Sequence, residues 1–365
     1  MLAPKLRFKE FNDEWKKVKI NKILKIKHGK NQKEIECING KYPILGTGGI
    51  IGTTNTPAYL KESVLIGRKG TIDKPMYINI PFWTVDTLFY SDVSSNYNVK
   101  FIYYLFNTIN WKKYDESTGV PSLSANTIEN IDVNISLEKE EQLKISQFLS
   151  LFDKKIELQQ RKIEVLKMYK KGLFQKILNY EGEKRKISEI LEEVVEKSTE
   201  NNQYDVISST KEGLILQKEY FNRNIASENN IGYKILRNNQ IVLSPQNLWM
   251  GNINYNDKYC IGIVSPSYKI FDIKEGYSKE YIASLLKTNR ALYMYKISSE
   301  QGASIVRRNL NMDAFYEITF KIPSLKEQIK YGEIIKKLNR KIDNMRDTLN
   351  MLLKIKKGLL QQMFI

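Results

Sequence analysis

The chain has 365 residues, with 58 Lys plus Arg against 41 Asp plus Glu, a formal net charge of +17 and a pI near 9.4. Such an excess points to a polyanionic partner, and with no run of about 18 apolar residues to span a bilayer, nucleic acid is favoured over membrane. Cys37 and Cys260, far apart and the only two, fit a reducing compartment and argue against a disulfide frame or a thiolate metal site.

In chain order, Met1 to Glu14 lacks the apolar core of a secretory signal, so a cytoplasmic location is expected. A basic cluster follows, Lys16, Lys17, Lys19, Lys22, Lys25 and Lys27. Tyr42–Leu45, Val64–Gly67, Met76–Ile80 and Thr87–Tyr90 have strand composition bounded by Gly, Pro and Asn, and Val99–Phe106 reads as a helix. The glycines of Gly46–Gly52 suggest a cofactor loop, but Thr53 to Pro57 cannot open the helix such a loop needs, so a turn between strands is expected. In Gly67-Arg68-Lys69-Gly70-Thr71 two glycines hold a charged pair at a turn, where Arg68 can fork onto a guanine edge and Lys69 take a phosphate, with Thr71 beside them. A solvated turn is the competing reading. The stretch Thr118–Ser124, with Ser122 and Ser124, is small enough to lie against a duplex.

From about 137 to 180 the apolar positions advance by alternating steps of four and three: Phe152, Ile156, Gln159, Ile163, Leu166, Lys170, Leu173, Ile177. That stripe is a coiled-coil seam, interrupted at Gln159 and Lys170. A second strand-rich region, 181–321, has strands at Ile241–Ser244, Ile263–Val264 and Lys269–Ile273 and a helix at Lys279–Leu286. Its candidate base-reading residues are Gln246 and Asn247, then Ser304 in Gln301–Ser304, and Arg307, Arg308 and Asn309. Residues 322–365 repeat the seam as Leu338, Ile342, Met345, Leu349, Leu352, Lys356, Leu359 and Met363.

The two helices are copies, because Glu141–Asn179 reappears without a gap as Glu327–Ile365, shifted by 186 positions. The identities include Glu141/Glu327, Gln142/Gln328, Ile156/Ile342, Lys170/Lys356 and Leu173/Leu359. A weaker match relates Lys19–Leu24 to Lys186–Leu191, so the regions ahead of the helices, 1–136 and 181–321, are expected to share a fold. Because domain termini usually lie close together, the second helix should run back along the first. The expected product is an antiparallel two-helix coiled coil carrying two inverted domains, a mixed α/β (α+β) caliper with a pseudo-twofold duplication. Leu143, Leu149, Ile329 and Ile335 lie off the seam and are expected to be available to partner helices.

Taken with Pro4-Lys5-Leu6-Arg7-Phe8, Phe11 and Trp15 ahead of the first domain, and Pro323–Ile329 opening the second helix, this order resembles the specificity subunits of type I restriction-modification systems. The resemblance covers the whole chain. It implies that each globular domain is a target-recognition domain reading one half of an interrupted, asymmetric site in double-stranded DNA, with the helices setting the gap. It further implies a non-catalytic adaptor without cofactors of its own. Two methyltransferase subunits would supply S-adenosylmethionine chemistry, and restriction/translocase subunits ATP-driven motion. The chain has no Asn-Pro-Pro-aromatic motif and no GxxxxGK[ST] loop, and His28 is its only histidine, so no metal site is expected. The first helix opens on Ser136–Gln142 without the proline of Pro323. A lone sequence-specific regulator shares the DNA-binding features, and a fused methyltransferase or nuclease is the remaining rival.

Overall fold

A computed structural model describes residues 2–178, 182–220, 229–301 and 308–365. It divides into two compact units, Met1–Arg161 with Asp347–Ile365, and Lys162–Arg346. The units combine the segments 1–136, 137–180, 181–321 and 322–365 in a way that sequence boundaries do not show, since each takes a globular domain and part of both long helices.

In the first unit, β1 (Lys16–Lys19) precedes β2 (Leu24–Lys27), the hairpin β3 (Tyr42–Gly46) and β4 (Gly49–Thr54), β5 (Ser63–Gly67), β6 (Met76–Ile78), β7 (Trp83–Thr84) and β8 (Leu88–Val93). Helix α1 (Val99–Phe106), the short α2 (Ala125–Glu129) and β9 (Asp132–Ile135) follow, and then α3 (Lys139–Leu178). A four-stranded sheet runs β2-β8-β5-β6, while β1 pairs antiparallel with β9, Lys16 opposite Ile135. Every residue of β5 is buried, as its unbroken Val64-Leu65-Ile66 run requires for a strand flanked on both sides. Within Gly46–Gly52 the expected turn between strands is Thr47-Gly48, joining β3 to β4, with Gly49 at φ +113° where β4 begins. Helix α1 occupies the predicted residues and starts at Asn98, whose side chain accepts the Phe101 N–H at 2.9 Å.

The second unit repeats the plan: β10 (Glu183–Lys186), α4 (Ile187–Ile190), β11 (Leu191–Val194), β12 (Ile207–Thr210), β13 (Gly213–Leu216), α5 (Gln217–Tyr220), β14 (Lys234–Arg237), β15 (Ile241–Leu243), β16 (Ile253–Tyr255), β17 (Ile261–Val264) and β18 (Lys269–Ile273). Next come α6 (Lys279–Leu285), α7 (Asn289–Ile297), β19 (Ser299–Gln301), β20 (Arg308–Leu310), α8 (Met312–Tyr316), β21 (Thr319–Ile322) and α9 (Leu325–Met363). Its sheet order β11-β18-β15-β16 matches β2-β8-β5-β6 strand for strand, and β10 pairs with β21 as β1 does with β9. The Lys19–Leu24 and Lys186–Leu191 match marks the same place in each plan, a strand end, a helical turn and the first strand of the sheet.

The long helices run antiparallel within each unit. In the first, Asp153 of α3 pairs with Lys356 of α9, and Phe364, just past the end of α9, returns to Trp15 and Phe101 beside the start of α3, with centroids at 6.0 and 5.1 Å. In the second, the Lys170 Nζ donates to the Asn339 Oδ1 at 2.6 Å, and Leu173 and Phe174 enter the core that holds Tyr331 and Ile335. Burial follows the expected seam: Ile156, Ile163 and Ile342 are buried and Phe152, Leu166, Leu173, Leu338, Leu349, Leu352 and Leu359 half-buried. Off the seam, Leu158, Val165, Met168 and Met351 are exposed. The side chain of Ile177 lies outside the described residues.

One expectation is corrected here. Leu149 and Ile335 do not face outward; they are 0% and 1% exposed, because each helix begins packed on its own globular domain before it joins the seam. Leu143 and Ile329, equivalent positions one turn or two earlier, do stay open, at 44% and 47%.

Candidate nucleic-acid interface

The two loops singled out in the first domain meet. Lys69 and Ser122 form a β-bridge, the Gly70 N–H donates to the Pro121 carbonyl at 2.8 Å, and the Leu123 N–H donates to the Arg68 carbonyl at 2.9 Å. Both glycines are needed: a Cβ on Gly67 would lie 2.1 Å from the Thr71 carbonyl oxygen, and Gly70 sits at φ +85°. The turn presents an exposed Lys69 and a half-buried Arg68 and Thr71. Arg68 is loosely held, its guanidinium 3.4 Å from the Asp86 carbonyl, so most of its donor fork is uncommitted to protein.

The facing segment is organised by two carboxylates. Asp115 accepts the N–H groups of Ser122 and Ser117 at 2.9 and 3.0 Å, which holds its pKa below the ordinary carboxylate range, the Ser122 contact contributing most. Glu116 accepts the hydroxyls of Thr127 and Ser124 and is likewise lowered, Thr127 first. Ser124 is the N-cap of α2, accepting the Thr127 N–H at 3.0 Å, so its oxygen is engaged in starting that helix.

In the second domain Gln246 and Arg308 are brought together, the Arg308 N–H donating to the Gln246 carbonyl at 3.3 Å. Gln246 and Asn309 are exposed and Asn247 half-buried. The Arg308 side chain is turned to the β19–β20 hairpin: its Nε donates to the Ser299 hydroxyl at 3.0 Å and its Nη2 to the Ser299 carbonyl at 2.7 Å. Ser304 and Arg307 lie outside the described residues.

The second unit also holds a cleft of about 1240 Å³ between the face of β16 and α6 and the helix pair. Nine Lys or Arg side chains line it against four carboxylates, those of Glu212, Asp257, Glu280 and Asp343. Glu280 is paired with Lys336 at 2.7 Å and Asp343 with Arg346 at 3.0 Å. Lys287 donates to the Asn254 Oδ1 at 2.6 Å, and Asn254 is itself fixed by donating to the Ser209 hydroxyl and the Thr210 carbonyl at 2.8 and 2.7 Å. Protein closes in on Lys287 from the cleft walls while its accessible surface stays open to the cleft. That desolvation, with the charge of Lys170 beside it, pushes its pKa down to about 8.

Sequence reading missed the fastenings that orient these domains. Gln142 and Gln328, both buried, each accept the N–H of an N-cap residue, Asn98 at 2.8 Å and Ser278 at 3.0 Å, and each donate to a carbonyl ahead of the long helix, Ser136 at 2.8 Å and Pro323 at 2.9 Å. One duplicated glutamine thus ties the long helix to the α1 or α6 helix of its own domain. Its identity under the 186-residue shift was the available signal. The neighbouring Glu141 is fully buried and takes a bidentate contact from Arg7 at 2.7 and 2.9 Å and the Trp15 indole N–H at 3.2 Å. Glu327, its copy, instead closes a capping box with Ser324. Among the described residues no group of three or more His, Cys, Asp or Glu is placed to hold a metal ion, and no helix is long and apolar enough to cross a membrane.

No curated protein sequence matches the chain. Residues 12–168 match the family described as type I restriction modification DNA specificity domain. The chain is similar in fold to the S subunit of a type I restriction-modification system from M. genitalium, with a TM-score of 0.67 and 17% identity over 100% of this chain and 99% of that one. It is also similar to a chain solved in a study of complex assembly and conformational transition of the type I R-M system, with a TM-score of 0.53 and 8% identity over 95% of this chain and 96% of that one. The first domain and most of the first long helix thus match that specificity-domain family in sequence, and the two-domain, two-helix fold is shared along the whole length with the S subunit.

Proposed function

We propose that this chain reads an interrupted, asymmetric DNA site, one half-site per globular domain, and holds two methyltransferase subunits over it without carrying out chemistry of its own. The observation that carries this reading is one scaffold built twice with different loops: the same sheet order and the same glutamine fastening recur, while Arg68-Lys69 in one copy gives way to Gln246-Asn247 with Arg308-Asn309 in the other. Keeping the frame while changing the loops is how a duplicated protein recognises two different sequences with one geometry. The net charge of +17 supplies sequence-independent attraction to phosphates. S-adenosylmethionine and ATP belong, on this reading, to the partner methyltransferase and restriction/translocase subunits. Leu143 and Ile329, exposed at equivalent positions on the two helices, are the docking positions the duplication favours for two identical partners.

The test is methylation mapping of DNA from cells carrying the complete system. Exchange of residues 15–135 for the corresponding domain of a relative should replace one half-site and leave the other half and the gap intact. Co-purification with a methyltransferase separates the adaptor from a lone regulator. Methyl transfer by the isolated chain would overturn the proposal.

A further inference from the structure

The seam lysines Lys356 and Lys170 are equivalent under the 186-residue shift, but their surroundings have diverged in a directed way. Lys356 is neutralised: it pairs with Asp153, which also accepts the Tyr104 hydroxyl at 2.5 Å, and the Tyr104 ring fills the space beside it, centroid 5.6 Å from the ammonium. The same shift puts Asn339 in the place of Asp153. Counting from the N-caps that the two glutamines hold, Asn98 and Ser278, puts Ser284 in the place of Tyr104 and Lys287 in the place of Asn107. The second unit has therefore lost one carboxylate, gained one cation, and put a serine where the first has a tyrosine, while the ring beside Lys170 is that of Phe174. Lys170, Phe174, Ser284, Lys287 and Asn339 all line the cleft.

Each lysine donates to a neutral amide, Lys170 to Asn339 and Lys287 to Asn254, both at 2.6 Å, and Lys170 also lies over the Phe174 ring, 5.8 Å from its centroid. A carboxamide orients an ammonium without offsetting its charge. Burial lowers the pKa of Lys170 as well, with Arg346 adding to the effect and Asp343 opposing it. Around Lys287, Glu212 and Asp257 oppose the lowering and Lys170 and Lys258 strengthen it. Two aimed cations with a hydroxyl between neutral amides, facing an open cavity, are suited to a tetrahedral oxyanion.

We propose that this cleft is a phosphate-binding site, with Lys170 and Lys287 as its paired cations and Asn339 as the residue that keeps it open. The chemistry is shared by a phosphodiester of the DNA backbone and by a free phosphate or nucleotide, and inorganic phosphate alone tests it apart from any sequence reading.

Calorimetric titration of the full chain with inorganic phosphate should show binding that Lys287→Met and Asn339→Asp each weaken by about tenfold or more, the loss expected for a hydrogen bond to a charged group. Asn339→Asp restores the carboxylate that the first unit has, so it should keep or raise thermal stability, which separates loss of the site from loss of the fold. A second titration uses duplex DNA at two salt concentrations. If the bound phosphate is a backbone one, both variants also lower DNA affinity uniformly across sequences and reduce the salt slope by about one. If DNA binding is unmoved while phosphate is lost, the site takes a free phosphate. Failure of the wild-type chain to bind phosphate, binding indifferent to both substitutions, or preference for a Glu-rich peptide over phosphate overturns the assignment.

Discussion

Glu141 and Glu327 are the same residue in two copies of one helix, yet Glu141→Ala should be far more damaging than Glu327→Ala. Glu141 is fully buried, and its removal leaves Arg7, whose side chain is 12% exposed, without its counter-charge and the Trp15 N–H without an acceptor. Breaking a buried, hydrogen-bonded pair from one side costs about 3–5 kcal/mol. Glu327 sits at the helix surface and caps Ser324, and loss of such a cap costs about 0.5–2 kcal/mol. For units of this size about 1 kcal/mol moves the midpoint by about 2–4 °C. Thermal unfolding followed by circular dichroism should therefore show the first unit's transition lowered by about 6–20 °C in Glu141→Ala, against about 1–8 °C for the second unit's transition in Glu327→Ala. Removing both charges together, as Arg7→Met with Glu141→Leu, should recover most of the loss, short of the unpaired indole N–H, which costs about 1–3 kcal/mol. Equal effects of the two single alanine substitutions, or a Glu141→Ala cost under about 1 kcal/mol as for an exposed ion pair, would refute the reasoning.

Gln142→Leu and Gln328→Leu, by contrast, should cost similar amounts, about 1–3 kcal/mol each, because both strand a buried N–H and carbonyl; urea titration checks this, and a large asymmetry would mean that the two fastenings are not equivalent. Arg68→Ala should relax the base requirement in the first half-site alone by about 1–3 kcal/mol, read from binding to randomised duplexes; uniform weakening at every sequence would make Arg68 a phosphate contact. One heptad inserted after Lys162 and another after Thr348 preserves the seam and adds about 10 Å to each helix, so methylation mapping should find the gap lengthened by up to about 3 base pairs with both half-sites unchanged. Lys287 has its folded pKa at about 8, below the ordinary 10.5, so the unfolded chain holds the proton more firmly between those values and the penalty of charging Lys287 is relieved as pH rises through them. The stability of the wild-type chain minus that of Lys287→Met should accordingly grow from pH 7 to pH 10 in chemical denaturation, and a difference that is flat or falls with pH would contradict that account.

What the amino-acid sequence determined by itself was everything carried by local period or by repetition. Steps of four and three along Phe152 to Leu173 and Leu338 to Leu359 fix which stripe of each helix is buried, because side-chain direction in a helix is a local property. The 186-residue shift shows the duplication, and runs such as Val64–Gly67 and Lys269–Ile273 mark strands by composition alone. A short signal was also present and unread: Ser124, three residues ahead of Thr127, is an ordinary N-cap, which is a structural reason for its hydroxyl to be where it is. The tertiary structure decided whatever depends on partners distant in sequence. Leu149 and Ile335 look like outward positions until the domain beneath each helix is in place. The identical Glu141 and Glu327 part ways because only the first has an arginine, 134 residues away, to draw it inward. Lys170 reads as a flaw in the seam, and its place beside Lys287 and Asn339 exists only once residues as far as 169 positions apart are folded together, since the charge a side chain feels is set by spatial neighbours and desolvation.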